Sequence, residues 1–194
     1  MSSRLPPVPR DQLSAHQQQA YDELTSISDS SFGAKFTFKR KDGAFVGPYP
    51  AFLAAPDMGL QYMRYVAGLN QASPLSAEVR EVVILATGSH YKAEYELYAH
   101  RNVAISSTRL SEQQVGQICK GEKPSGLDEA CDVAFDAARY LAGRPGPLPQ
   151  ELWDRAGKAL GKEGTVAMVH FIGLYAYTCI VLNAMDAPVP KEGE

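Results

Sequence analysis

Glu81-Val-Val-Ile-Leu-Ala-Thr-Gly-Ser-His-Tyr-Lys-Ala-Glu-Tyr-Glu-Leu-Tyr-Ala-His100 sets acidic groups and histidines inside segments that otherwise read as helix interior. Glu96 and His100 are four residues apart, so on a helix their side chains share one face and can share a proton or a substrate group. Gly88-Ser89 reads as a helix stop followed by a new N-cap, and a turn there brings Glu81 back toward the pair. Val82, Val83, Ile84 and Leu85 follow Glu81 directly, which predicts a buried helix and a carboxylate at risk of desolvation. A buried carboxyl tends toward a raised pKa, which is how a general acid is made. The plain alternative for Glu96 and His100 is a surface ion pair on a charged helix, with Lys92, Glu94 and Arg101 close by.

Working outward, the chain is punctuated for helices and carries almost no strand signal, so the fold class is all-α. Ser14 with Gln17 makes a capping box for a first helix that turns Tyr21 and Leu24 inward. Ser30 to Pro50 holds three glycines and two prolines and reads as a functional loop, its alternating Phe36-Thr-Phe38 passing for a short strand at most. Asp57 is read as the cap of a helix bearing Leu60, Met63, Val66 and Leu69, Ser76 as the cap of the Glu81 helix, and Ser89 as the start of the helix with Glu96 and His100. Ser111 and Gln114 form a second capping box, for a short helix closed by Gly121. A helix from about Leu127 to Leu141 ends at Gly143, and Arg144 to Pro149 is a stiff connector. Two last helices, Pro149 to Leu160 and Thr165 to Met185, finish the chain.

The 194 residues, 45% of them apolar, are enough to bury one sizeable core. One domain is expected over 1–194, with an N-terminal arm at 1–13, a loop or lid at 30–50 and a tail at 187–194. A net charge of −3, with Lys39-Arg40-Lys41 the only basic cluster, argues against a nucleic-acid partner, which needs a basic footprint. Cys119, Cys131 and Cys179 stand far apart without a C-x-x-C pair, so neither a redox dithiol nor a zinc ribbon can be written from them, and no metal is expected. They fit a reduced intracellular protein, and the N-terminus lacks the apolar core of a secretory signal; a cytoplasmic location is expected. Thr165 to Met185 runs without a charge and meets the length of a membrane span. His170, Asn183 and two tyrosines dilute its apolarity, however, and basic clusters and aromatic belts are missing. It reads as a central helix, buried by its own chain or partly by another subunit. His90 reads as a helix-end residue, His170 as a core histidine or a site residue, and His16 as surface.

Leu75-Ser-x-x-x-Arg80-Glu81-x-x-Ile84-Leu85, followed by Glu94-Tyr-Glu96-x-x-x-His100, resembles the carboxymuconolactone decarboxylase and alkylhydroperoxidase D superfamily. Leu110-Ser-x-x-Gln114, Gly173-x-Tyr175 and Leu182-Asn183-Ala-x-Asp186-x-Pro188 extend the resemblance over Leu53 to Pro190. It implies an AhpD-like bundle of about seven to eight helices, assembled as trimers or hexamers, with sites near subunit contacts that suit the 30–50 loop as a lid. In the peroxidase branch a glutamate precedes a C-x-x-C pair and a histidine. The glutamate and histidine match Glu81 and His100, while the cysteine positions match Ala93 and Glu96. That departure removes both thiols and with them peroxide reduction by that route.

What remains resembles the decarboxylase branch, which works without metal or organic cofactor. A carboxylate and an imidazole move protons but store no electrons. The expected substrate is a small organic acid of β-keto, lactone or aromatic polyketide type. Its carbon dioxide leaves an enolate, with His100 as proton donor or enolate partner, Glu96 as its orienting or relaying neighbour, and Glu81 as a second acid/base group. Tyr91, Tyr95 and His170 are candidate substrate-binding wall residues. An isomerase, cyclase or dehydratase using the same groups, or a non-catalytic oligomeric binding protein, stays open.

Overall fold

A computed structural model of the protein describes residues 3–191; the first two residues of the arm and the last three of the tail lie outside the described residues. Among the described residues there are eight α-helices and one 3-10 turn: α1 Ala15–Phe32, α2 Tyr49–Ala54, α3 Pro56–Ala72, α4 Ala77–Tyr91, α5 Glu94–Ser107, α6 Glu112–Cys119, α7 Glu129–Gly143 and α8 Gln150–Met185. The expected all-α architecture is the observed one.

Helix α4 is the hub. It packs against α5, α6, α7 and α8, while α1, α2 and α3 form a flank of their own that meets the rest through α3 and α8. The reason lies in the run from Val82 to Ala86, every residue of which is buried, so that this helix has neighbours on all sides. On the outer face of α7 and α8, Arg155 reaches Glu129, Asp132 and Asp136, and Lys123 joins the last two. At the other end the arm folds back, the Arg4 backbone N–H donating to the carbonyl of Met185 at 2.9 Å.

Both capping boxes are present, Ser14 with Gln17 and Ser111 with Gln114, and Ser76 caps α4 through the N–H of Val79. Three boundaries differ from the sequence reading. Gly88 and Ser89 are interior to α4, which runs on to Tyr91 and stops at Lys92 in the left-handed region (φ 53°), with Ala93 as the N-cap of α5. Gly88 serves close approach instead of termination: a Cβ there would lie 3.2 Å from Leu97 of α5. Ser89 satisfies its hydroxyl inside the helix by donating to the Ala86 carbonyl. Asp57 is not the cap of α3; Pro56 occupies the first turn after Ala55, since its ring presets a helical φ and its missing N–H costs nothing there.

The third difference is the 30–50 loop, which begins later than read because α1 continues to Phe32, and whose only ladder is a single bridge between Lys39 and Phe45. At the end of the chain the two expected helices are both present, joined within α8 across a kink at Gly161, whose φ of 70° and ψ of 174° are not helical. Helix α8 is long and apolar enough to cross a membrane by length and composition, and 56% of its most apolar window is buried inside the protein against the other helices. Its remaining face, with Val166, Val169, Tyr177 and Ile180, is exposed.

Candidate active site

Glu81 on α4 and the pair Glu96 and His100 on α5 meet in the core. All three side chains are buried. The tight stop at Lys92 reverses the chain so that α5 packs back on α4 and carries His100 to Glu81. Nδ1 of His100 lies 2.9 Å from Oε2 of Glu81, and its Nε2 lies 3.3 Å from Oε1 of Glu96. One imidazole therefore stands between two carboxylates, one on each ring nitrogen. The surface-pair alternative for Glu96 and His100 is excluded by their burial, 4% and 5% exposed. Tyr175 of α8 meets the imidazole edge to face at 5.0 Å, and Phe32 does so at 6.4 Å.

Burial disfavours charge here, and Glu96 and His100 answer differently. Desolvation pushes Glu96 above the usual carboxylic-acid range; the His100 charge opposes this and the Glu81 charge adds to it. For His100, burial alone would lower the pKa, but the carboxylates of Glu81 and Glu96 outweigh it and the net shift is upward. The cluster thus holds its protons more tightly than the free side chains would, on Glu96 and on the imidazole. Burial likewise holds the phenols of Tyr49, Tyr62, Tyr95 and Tyr175 neutral, so they serve as walls and hydrogen-bond partners and not as bases.

Glu96 and His100 form the polar end of a cavity of about 40 Å³ whose other walls are mostly aromatic, including Phe32, Phe36, Tyr49, Phe52 and Tyr95. Glu81 does not line this cavity; it holds the far side of the imidazole. Phe36 and Pro48 come from the 33–48 loop and Phe32 from the helix end just before it, so this segment covers the site. Of the candidate wall residues, Tyr95 lines the cavity, its hydroxyl donating to the Thr37 carbonyl at 2.8 Å and so tying α5 to the loop. Tyr91 does not line it; it packs in a small cluster beside Ala93, and its carbonyl accepts from Asn183. His170 stands elsewhere, in an open concavity of about 580 Å³ on the outer face of α8, hydrogen-bonded to Tyr65 at 2.6 Å.

Sequence reasoning missed Phe32, Tyr49, Phe52 and Tyr62 as wall residues. Their only signal was a density of aromatics between Phe32 and Tyr62, which composition cannot aim. The thiols are unsuited to nucleophilic work: burial raises all three, Cys131 to about 12. Among the described residues no group of three or more His, Cys, Asp or Glu side chains is disposed to hold a metal ion.

The helical bundle that carries this cluster has the AhpD-like fold. Solved structures with a similar fold include the following. The apo debrominase Bmp8 superposes with a TM-score of 0.73 at 12% identity, over 92% of this chain and 90% of that one. A cysteine-to-alanine variant of that debrominase, in complex with 2,3,4-tribromopyrrole, gives 0.73 at 13% identity over 98% and 93%. An alkylhydroperoxidase AhpD core, an uncharacterized peroxidase-related protein from Ralstonia eutropha JMP134, gives 0.72 at 15% identity over 100% and 95%. No family model matches the sequence, and no curated protein matches it.

Proposed function

We propose that the protein is a cofactor-independent carboxy-lyase that acts on a β-keto, lactone or aromatic polyketide-type acid through an enolate. The observation that carries this reading is the pair Glu96 and His100 facing an aromatic cavity, both holding protons more tightly than usual. The substrate's ring lies among the aromatic walls with its carboxylate in apolar surroundings. The bond to the carboxylate breaks, carbon dioxide leaves, and the electron pair passes into the enolate. His100, held as an imidazolium by Glu81, stabilises the enolate oxygen, and Glu96 or His100 returns a proton to carbon. Water then restores that proton. Glu81 acts through His100 and is a positioning residue.

The same groups serve an isomerase, cyclase or dehydratase, since proton removal and delivery use one set of residues. A silent binding protein is disfavoured because two buried carboxylates on one buried imidazole carry a desolvation cost that a scaffold has no use for. Thiol peroxidase chemistry is disfavoured by Ala93 and Glu96 at the two cysteine positions. The exposed apolar stripe of α8 supports a homo-oligomer; a trimer or hexamer is what the superfamily resemblance implies, and the expected setting is the cytoplasm.

The test is incubation of metal-stripped protein with a panel of β-keto, lactone and aromatic polyketide acids, following carbon dioxide and product mass, with wild type beside His100→Ala. Release by wild type that is lost in the variant supports the carboxy-lyase. A product of unchanged mass replaces it with isomerisation, and loss of water with dehydration. Turnover that persists in His100→Ala overturns the assignment of the site.

A further inference from the structure

On the side of His100 away from the aromatic cavity lies a second, polar cavity of about 360 Å³. Glu81, His100, Phe32 and Tyr175 are in its wall, so the imidazole separates two compartments of opposite character, one aromatic and one polar. Two cations line the polar compartment, Arg80 of α4, half-buried, and Lys35 of the loop, exposed. Their charges are not spent on carboxylates: Arg80 donates to the Asn70 backbone carbonyl at 3.3 Å, and neither residue is in an ion pair among the described residues. This contrasts with Arg10, Arg64, Arg109, Lys123 and Arg155, each of which is paired. Glu81 is the one carboxylate in the cavity wall, and it is engaged by His100.

We propose that this cavity is a binding site for a small organic carboxylate, held by Arg80 and Lys35. A guanidinium fork takes a carboxylate through two parallel N–H donors, and Lys35 adds a mobile point charge at the mouth. Asn70, Gln71 and Ser107 offer neutral hydrogen bonds, while Ala67, Ile84 and Val103 give an apolar surface for the organic body. A singly charged carboxylate fits better than phosphate, because the extra negative charge of phosphate would face Glu81 at close range. Bound there, the anion draws Lys35 onto the body of the protein next to Phe32, a wall of the aromatic cavity, and so fastens the covering segment while the Glu96 side is in use. This site is separate from the proposed reaction and is read without turnover.

The experiment is a titration of the full chain, up to about 0.1 M ligand at constant ionic strength, with benzoate, its neutral isostere benzamide, and inorganic phosphate, followed by calorimetry and by the imidazole signals of the four histidines. Saturable benzoate binding is expected, with a shift of the His100 signals at the same midpoint and none at His16, His90 or His170. Arg80→Gln and Lys35→Gln should each weaken it by about tenfold, and Lys41→Gln should leave it unchanged. Lys35 is exposed, so its variant reads the site even if Arg80→Gln unfolds. Benzamide binding as well as benzoate, phosphate binding more tightly, an unmoved His100 signal, unchanged affinity in Lys35→Gln, or no saturation at all would each overturn the proposal.

Discussion

His100 and Glu81 come from different helices, and Nδ1 of the one lies 2.9 Å from Oε2 of the other. The contact fixes the imidazole from behind and leaves Nε2 for Glu96 and the aromatic cavity. Because the Glu81 charge raises the His100 pKa, Glu81→Gln should lower the His100 titration midpoint measured by NMR, and with it the pH at which turnover falls away. An unchanged midpoint would mean that Glu81 is not the charge that holds the proton.

Removing the acid itself gives a different signature. Glu96→Gln keeps shape and hydrogen bonding but takes away the exchangeable proton next to the cavity. It should remain folded, bind substrate with little change in KM, and lose about 10²–10⁴-fold in kcat. Wild-type kcat in this variant would remove Glu96 from the chemistry.

The same burial makes stability depend on pH in a definite direction. His100 is raised above its ordinary 6.5, so the stability it contributes is present in full below that value and is lost as pH rises through its folded pKa. Glu96 is raised above 4.5, so from that pH upward the unfolded chain releases its proton first and the folded state again loses ground. Both therefore lower stability as pH increases. In urea unfolding, Glu96→Gln should gain on wild type steadily from pH 4.5 upward; a gap that stays constant with pH would contradict the raised carboxyl.

Closure of the site depends on a glycine. Gly47 has φ of 67°, and a Cβ there would sit 2.3 Å from the ring of the buried Tyr95. Gly47→Ala should cost about 1–3 kcal/mol, from overpacking and from a left-handed backbone that alanine adopts poorly. Thermal denaturation would register this as a lower Tm, and a neutral result would show that the loop yields at this point. The aromatic cavity, at about 40 Å³, is well below the roughly 150 Å³ that takes one benzene ring, so a ring substrate enters only when this segment lifts.

The outer face of α8 is the surface to test for assembly. Val169 and Tyr177 are exposed beside Trp153 and Tyr65 around the concavity that holds His170. Val169→Glu should shift the mass measured by light scattering toward the monomer, since a carboxylate in an apolar contact is desolvated without a partner. A monomeric wild type would count against assembly through this face.

The sequence by itself determined the helices other than α2, which it left unread between the loop and Asp57, and the spacing of the cluster. Capping at Ser14, Ser76 and Ser111 is local chemistry, since each serine hydroxyl accepts from a backbone N–H three residues on, and no distant group is needed. The four-residue step from Glu96 to His100 likewise fixes their common face. Gly88 was misread because its conformational freedom and its lack of a side chain look the same in sequence; only the approach of Leu97 in α5 decides which is used. Of the aromatic walls Tyr95 was legible but the others were not, since Phe32, Tyr49, Phe52, Tyr62 and Tyr175 come from four different helices and converge through packing. The environment that makes Glu96 and His100 hold their protons, burial for the first and the neighbouring carboxylates for the second, depends on helices distant in sequence. The tertiary structure alone supplies it, because desolvation belongs to the surroundings of a side chain and not to its identity.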